Sequence, residues 1–66
     1  MAVFQTTLKE LRHSQNMKQE ELAALVGVRR ETIGKLEHGQ YNPSLKLTMD
    51  IDHIFHKSVE DIFYFE

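Results

Sequence analysis

The feature that most constrains this chain is a glycine set between two short apolar-striped segments, within Gln19 to Gly39, QEELAALVGVRRETIGKLEHG. Leu22, Ala23, Leu25 and Val26 recur at helical spacing, which predicts a helix from about Lys18 to Val26. Gly27 ends it, because a residue just beyond the last turn adopts the left-handed conformation that glycine takes without strain. Ile33 and Leu36 face inward with Val28, which predicts a further helix from about Arg30 to His38, stopped by Gly39. The two helices are therefore joined by a tight turn at Val26-Gly27-Val28. Arg29, Arg30, Glu31, Thr32 and Lys35 fall on the outward side of the second.

The remaining segments supply packing partners for this pair. A first helix spans about Gln5 to Ser14, with Leu8 and Leu11 on its apolar face, before the polar turn Ser14-Gln15-Asn16. Tyr41-Asn42-Pro43-Ser44 reads as a loop, and Pro43-Ser44 signals the start of a fourth helix, about Leu45 to Phe55. Ser58, with Asp61 three residues on, resembles a capping box opening a fifth helix, about Val59 to Phe63. Ala2-Val3-Phe4 and Phe63-Tyr64-Phe65 are short β-prone runs. They pair as a small two-stranded ribbon, or the N-terminus is frayed. The expectation is an all-α fold of five helices in one domain, 1–66, with or without that terminal ribbon.

Composition narrows the support such a fold can use. A chain of 66 residues buries only about 60% of its unfolded surface. It has no Cys, so disulfides and thiolate metal sites are excluded. Oligomerisation is then the expected support. No run approaches about 18 apolar residues, so no transmembrane helix is expected. The start, MAVFQTTLKELR, lacks a basic stretch followed by a long apolar block, so a cytoplasmic, nucleoid-associated protein is expected.

Net charge is −2, but its distribution matters more than its sum. Residues 29–42 carry Arg29, Arg30 and Lys35 against Glu31 and Glu37, a balance of +1. Residues 50–66 carry Asp50, Asp52, Glu60, Asp61 and Glu66 against Lys57, a balance of −4. A molecule with a basic face and an acidic back can still meet DNA, since attraction to phosphate is local and screened beyond roughly 10 Å. The arrangement of the pair at about 18–38 is that of a helix-turn-helix, in which one helix braces and the next enters the major groove.

Several landmarks fall together at fixed spacing: Leu-x-x-Leu-Arg at 8–12, Gln-Glu-Glu-Leu-Ala at 19–23, Val-Gly-Val at 26–28, Thr-Ile at 32–33, Glu-x-Gly at 37–39 and Asn-Pro-Ser-Leu at 42–45. In these the chain, from about Leu8 to Phe63, closely resembles the Cro/phage-repressor type of helix-turn-helix, the xenobiotic response element family. The resemblance implies a repressor acting as a homodimer on a palindromic or inverted-repeat operator in double-stranded DNA. It assigns Arg29, Arg30, Glu31 and Lys35 to base contacts. Lys18, Gln19, Thr32, His38, Gln40 and Asn42 are assigned to the phosphate backbone, Gln19 through its side chain and its N–H at a helix N-terminus. Arg12 and Glu37 match the family's internal ion pair between the first helix and the end of the third.

The chemistry of these side chains agrees with that assignment. Arg reads guanine through O6 and N7, and Glu can accept from cytosine N4. A G·C-containing half-site is expected, with Arg30 as guanine reader. Arg29 could equally clamp a phosphate.

The chain departs from the family at four places. Positions 18 and 29, often Ser or Thr caps, are basic here, and each lost cap costs about 1 kcal/mol. Gly34 lies within the recognition helix, where glycine costs about 1 kcal/mol relative to alanine. It serves a close helix contact, or else close approach to DNA. Asp52 occupies a position usually small and apolar, either at the rim or partly buried.

Two further features have two readings each. His53 and His56 lie at metal-ligand spacing, but helix-surface histidines are commoner and no partner completes a site, so no metal or other cofactor is expected. His56 also suits the last-turn carbonyls of the fourth helix. Met49, Ile54, Phe55, Phe63, Tyr64 and Phe65 either complete the core or form the dimer interface, and shared use is expected for helices four and five, about 45–63. No catalytic constellation is present, so an enzyme is not expected, nor a small-molecule ligand or membrane partner. The competing reading is an antitoxin-like or adaptor protein whose main partner is another protein.

Overall fold

The computed structural model describes residues 4–65. Its order is β1 (Phe4–Thr6), α1 (Leu8–Ser14), α2 (Gln19–Val26), α3 (Arg30–Glu37), α4 (Leu45–Phe55), α5 (Val59–Ile62) and β2 (Phe63–Phe65). The fold is five helices and one small antiparallel sheet, which matches the all-α expectation with its ribbon.

The core is assembled from every helix. Leu8, Leu22, Ile33, Leu36, Ile51 and Ile62 have no exposed surface, and Ala23, Val26, Leu47, Phe55 and Phe63 complete the cluster. Phe4, Leu11, Met17, Val28 and Ile54 pack against it from the sides. Full burial of a Leu or Ile contributes about 1.5–3 kcal/mol each. Leu25 is the exception to the expected stripe on α2: it is 63% exposed. Leu22, Ala23 and Val26 already fill that helix's narrow contact with α3 and α4.

The helix ends have identifiable causes. Gly27 takes φ +72° and its N–H bonds Ala23 O, closing α2 in the left-handed cap. Ser44 caps α4, its Oγ accepting from Leu47 N–H at 3.1 Å. At α5, the Asp61 carboxylate accepts from the N–H and the Oγ of Ser58. At α2, Glu21 Oε1 accepts from Lys18 N–H at 2.8 Å, so half of a capping box survives although an ammonium cannot accept. His56 closes α4 at φ +54° through its backbone N–H to Asp52 O, rather than through its ring.

Two boundaries differ from the sequence expectation for one reason. Helix one starts at Leu8 rather than Gln5, and helix five stops at Ile62 rather than Phe63, because the chain ends pair with each other. Phe4 pairs with Phe65, Gln5 with Tyr64 and Thr6 with Phe63. Thr7 extends the seam, its N–H reaching Ile62 O at 3.0 Å and its Oγ1 reaching Asp61 O at 2.9 Å. The strand expected at Ala2-Val3-Phe4 is therefore centred further along; Ala2 and Val3 lie outside the described residues. Phe4 stacks on Phe63 with centroids 5.9 Å apart, which fixes one face of the ribbon against the core.

Gly39 joins this ribbon to the end of α3. It sits at φ +71°, and a Cβ there would lie 2.8 Å from the Phe4 carbonyl oxygen. Gly27 has the same conformation but nothing within 4 Å of a Cβ. Gly27→Ala should therefore cost only the left-handed penalty, about 1–2 kcal/mol. Gly39→Ala should cost clearly more, because backbone must also move. Urea denaturation of the two variants checks the order.

Candidate nucleic-acid interface

The outward face of α3 is set by what its inward face buries. Ile33 and Leu36 are fully buried, so helical spacing turns Glu31 and Lys35 to the opposite side and Arg30 to the flank, while Arg29 lies in extended backbone just before the first turn. All four are exposed. Arg29 is the N-cap residue and makes no side-chain cap, so no side chain of the cap residue satisfies the first-turn N–H groups of α3. An uncapped helix start favours an anion.

A second cationic element lies beside it. Arg12, Lys18, Gln19, Glu20 and Arg30 line an open cleft of about 330 Å³ between α1, the start of α2 and the start of α3. Of the other sequence candidates, Thr32 is half-buried, while His38 and Gln40 are exposed at the far end of α3. His38 Nδ1 donates to Gly34 O at 2.7 Å, and Gln40 N–H bonds Lys35 O at 2.9 Å. Asn42 is exposed and borders a different cleft, beside the ribbon.

Beneath this surface lies the ion pair expected between the first and third helices. Arg12 Nε donates to Glu37 Oε2 at 2.6 Å, and the two side chains are 8% and 1% exposed. Arg12 Nη2 reaches Glu37 Oε1 at 3.3 Å and His13 Nε2 at 3.2 Å, while Nη1 donates to Met17 O at 2.7 Å. Gln19 Nε2 adds a further donor to Glu37 Oε1 at 3.0 Å. Sequence reasoning placed Gln19 on phosphate only. Its second attachment was not legible, because Gln19 and Glu37 lie 18 residues apart.

Gly34 does not serve a tight helix contact. The nearest atom to a Cβ built there is Gln19 Nε2, at 3.8 Å, which is ordinary van der Waals distance.

The dimer-interface candidates divide. Phe55 and Phe63 are only 4% and 7% exposed, so each is covered by its own chain. Both belong to the core, because the ribbon and α5 fold over them. Ile54 is half-buried, whereas Met49, Tyr64 and Phe65 are exposed. Leu45 and Val59, which the sequence did not single out, are exposed as well, Leu45 at 74%.

Asp52 resolves to both of its readings. The residue sits half-exposed at the rim, yet its Oδ1 is buried without a partner. Burial, with Glu60 and Asp61 adding like charge, raises its carboxyl above the ordinary range; nearby His53 opposes this. Among the described residues, no three His, Cys, Asp or Glu side chains converge as a metal site.

An exposed helix bearing Arg30 and Lys35, braced by a second helix across a tight turn, has the layout of a DNA-binding helix-turn-helix, and its likeness to known proteins places it further. A family described as helix-turn-helix matches residues 8–62. An HTH-type transcriptional regulator of Archaeoglobus fulgidus is 58% identical over 63 residues, covering 96% of this chain and 89% of that protein. The HTH-type regulator YgzD of Bacillus subtilis is 42% identical over 59 residues, 89% of each. The structure is similar to the restriction-modification controller protein C.AhdI of Aeromonas hydrophila, with TM-score 0.72, 33% identity and 82% of each chain covered. The chain belongs to the helix-turn-helix family of Cro/C1 type. It is a DNA-binding transcriptional regulator, not an enzyme. No helix among the described residues is long and apolar enough to cross a membrane.

Two outcomes follow from this geometry. Arg12→Met or Glu37→Gln alone should cost about 3–5 kcal/mol, because a buried charge is left unpaired. The double variant should recover part of that loss in thermal unfolding. For Asp52, a raised carboxyl means stability that is present at low pH and lost as pH rises through the folded-state value. Asp52→Asn should therefore be more stable than the parent at neutral pH, with the difference shrinking as the solution is acidified.

Proposed function

We propose that the protein is a repressor that binds an inverted-repeat operator as a homodimer. The observation that carries this reading is the row Arg29, Arg30, Glu31 and Lys35 on the exposed side of α3, at an uncapped helix start. Two such helices would enter successive major grooves about 34 Å apart.

Arg30 is assigned to guanine O6 and N7, and Glu31 to cytosine N4, which gives a G·C-containing half-site. Arg29 and Lys35 complete the base-facing set. Lys18, Gln19, Thr32, His38, Gln40 and Asn42 are assigned to the flanking phosphates, where each cation adds salt-sensitive affinity. The net charge of −2 does not oppose this, because the excess of acidic over basic residues lies in the C-terminal segment.

The second copy is assigned to the apolar surface of Leu45, Met49, Val59, Tyr64 and Phe65. Exposed side chains of this size on so small a chain favour association. Dimer dissociation then gives the regulator a concentration switch. The likeness to a restriction-modification controller protein supports a regulatory role.

Selection from a random duplex library tests the reading. An inverted repeat with G·C pairs in each half should be enriched. Arg30→Ala should weaken binding to it by about 1–3 kcal/mol and relax preference at one base pair. Weak, salt-sensitive binding without enrichment would contradict the proposal and point to a protein as the main partner.

A further inference from the structure

We infer that DNA binding takes up a proton at His38: this side chain meets a phosphate only as imidazolium, so affinity depends on pH. The inference rests on the proposed assignment of His38 to the phosphate backbone, and it names a signal that acts on that surface.

His38 caps the C-terminal end of α3 and is exposed. Its backbone N–H is spent on Gly34 O and Lys35 O, each at 3.2 Å. Its ring turns back along the helix, where Nδ1 stands 2.7 Å from Gly34 O. A carbonyl oxygen only accepts, so Nδ1 carries a hydrogen. In the neutral ring the other nitrogen, Nε2, is then a bare acceptor. Nε2 is the nitrogen left for a ligand.

Phosphate oxygens also accept only. Neutral His38 therefore sets lone pair against lone pair. Protonation at Nε2 turns that atom into a donor, keeps Nδ1–H on Gly34 O and adds a positive charge. Hydrogen bonds of this charge-assisted kind are about twice as strong as neutral ones. Exchange of the neutral tautomer would also give Nε2 a hydrogen. It would leave a bare Nδ1 facing Gly34 O at 2.7 Å, so the fold favours protonation over exchange.

The charges around this end of α3 leave the imidazolium available to DNA. α1 and α2 pack against α3. From α1 comes Arg12, which is paired with Glu37. From α2 comes Gln19, an uncharged group on the same carboxylate. The ribbon brings uncharged Phe4 to Gly39. On α3 itself, Lys35 is exposed. Among the described residues the ion pairs are Arg12–Glu37 and Lys46–Asp50, and neither involves His38.

The direction follows. Histidine changes charge between about pH 5 and pH 8. The DNA-bound state holds the proton that the free state sheds as pH rises, so affinity falls as pH rises through that range. Linkage makes the effect reciprocal, with DNA promoting protonation of His38.

The test compares the parent with His38→Asn, which keeps a polar cap residue without a titrating ring. Affinity for the selected operator is measured at pH 6 and pH 8 over a series of salt concentrations. If selection yields no operator, an unrelated duplex serves, because phosphate contacts do not depend on sequence. The parent should bind about ten-fold more tightly per protomer at pH 6, with a salt slope steeper by about 1 per protomer. Both differences should be lost in His38→Asn, which also removes any contribution common to His13, His53, His56 and Asp52. Equal pH dependence in the two proteins would overturn the inference. A second readout needs no DNA: long-range ¹H–¹⁵N spectra of the free protein at pH 8 should show the neutral His38 ring with its hydrogen on Nδ1. A hydrogen on Nε2 instead would overturn the inference whatever the fate of the operator proposal.

Discussion

A carboxylate cannot stay ionised in a protein interior without partners, and in this molecule that requirement holds the working surface in place. Glu37 lies at the C-terminal end of α3 and is closed off from water by Arg12 of α1 and Gln19 of α2. Three helices thus converge on one charge. Because Arg12 also spends a donor on Met17 O, the turn between α1 and α2 is tied to the same point. Hydrophobic burial alone is non-directional. Ile33 and Leu36 would permit some rotation of α3 about its axis, but a fixed donor set on Glu37 does not.

The opposite end of the molecule solves a different problem. A core drawn from 66 residues is small, and its chain ends must be tied down if they are not to fray. The ribbon does this by pairing β1 with β2 and by covering Phe63. It also presses the Phe4 carbonyl against Gly39, which follows directly on α3 and its cap. The C-terminal end of α3 is therefore held by Arg12 and Gln19 on Glu37 and closed by the ribbon at Gly39.

Much of this was legible from residue order because the governing signals are local. Gly27, Ser44, and Ser58 with Asp61 mark helix ends through contacts within four residues, and the structure places the ends there. The outward placement of Glu31 and Lys35 followed from helical spacing once Ile33 and Leu36 were inward. What stayed hidden depends on contacts distant in sequence. Leu25 reads as core by spacing, yet α2 is too narrowly covered to need it. Gln5, Thr6 and Phe63 read as helical until the two termini meet. Phe55 and Phe63 suit an interface or a core equally well, and only the fold over them decides. Gln19 shows both cases: its place at a helix start was legible, its bond to Glu37 was not.

The central claim is that the exposed side of α3, with the start of α2, is the surface that meets DNA. Amide chemical-shift changes on titrating a duplex into ¹⁵N-labelled protein test it most directly. The account predicts the largest shifts at Lys18, Gln19 and residues 29–35, with little change at Asp52, Glu60 and Asp61. Shifts concentrated on α4 and α5, with α3 unmoved, would contradict it.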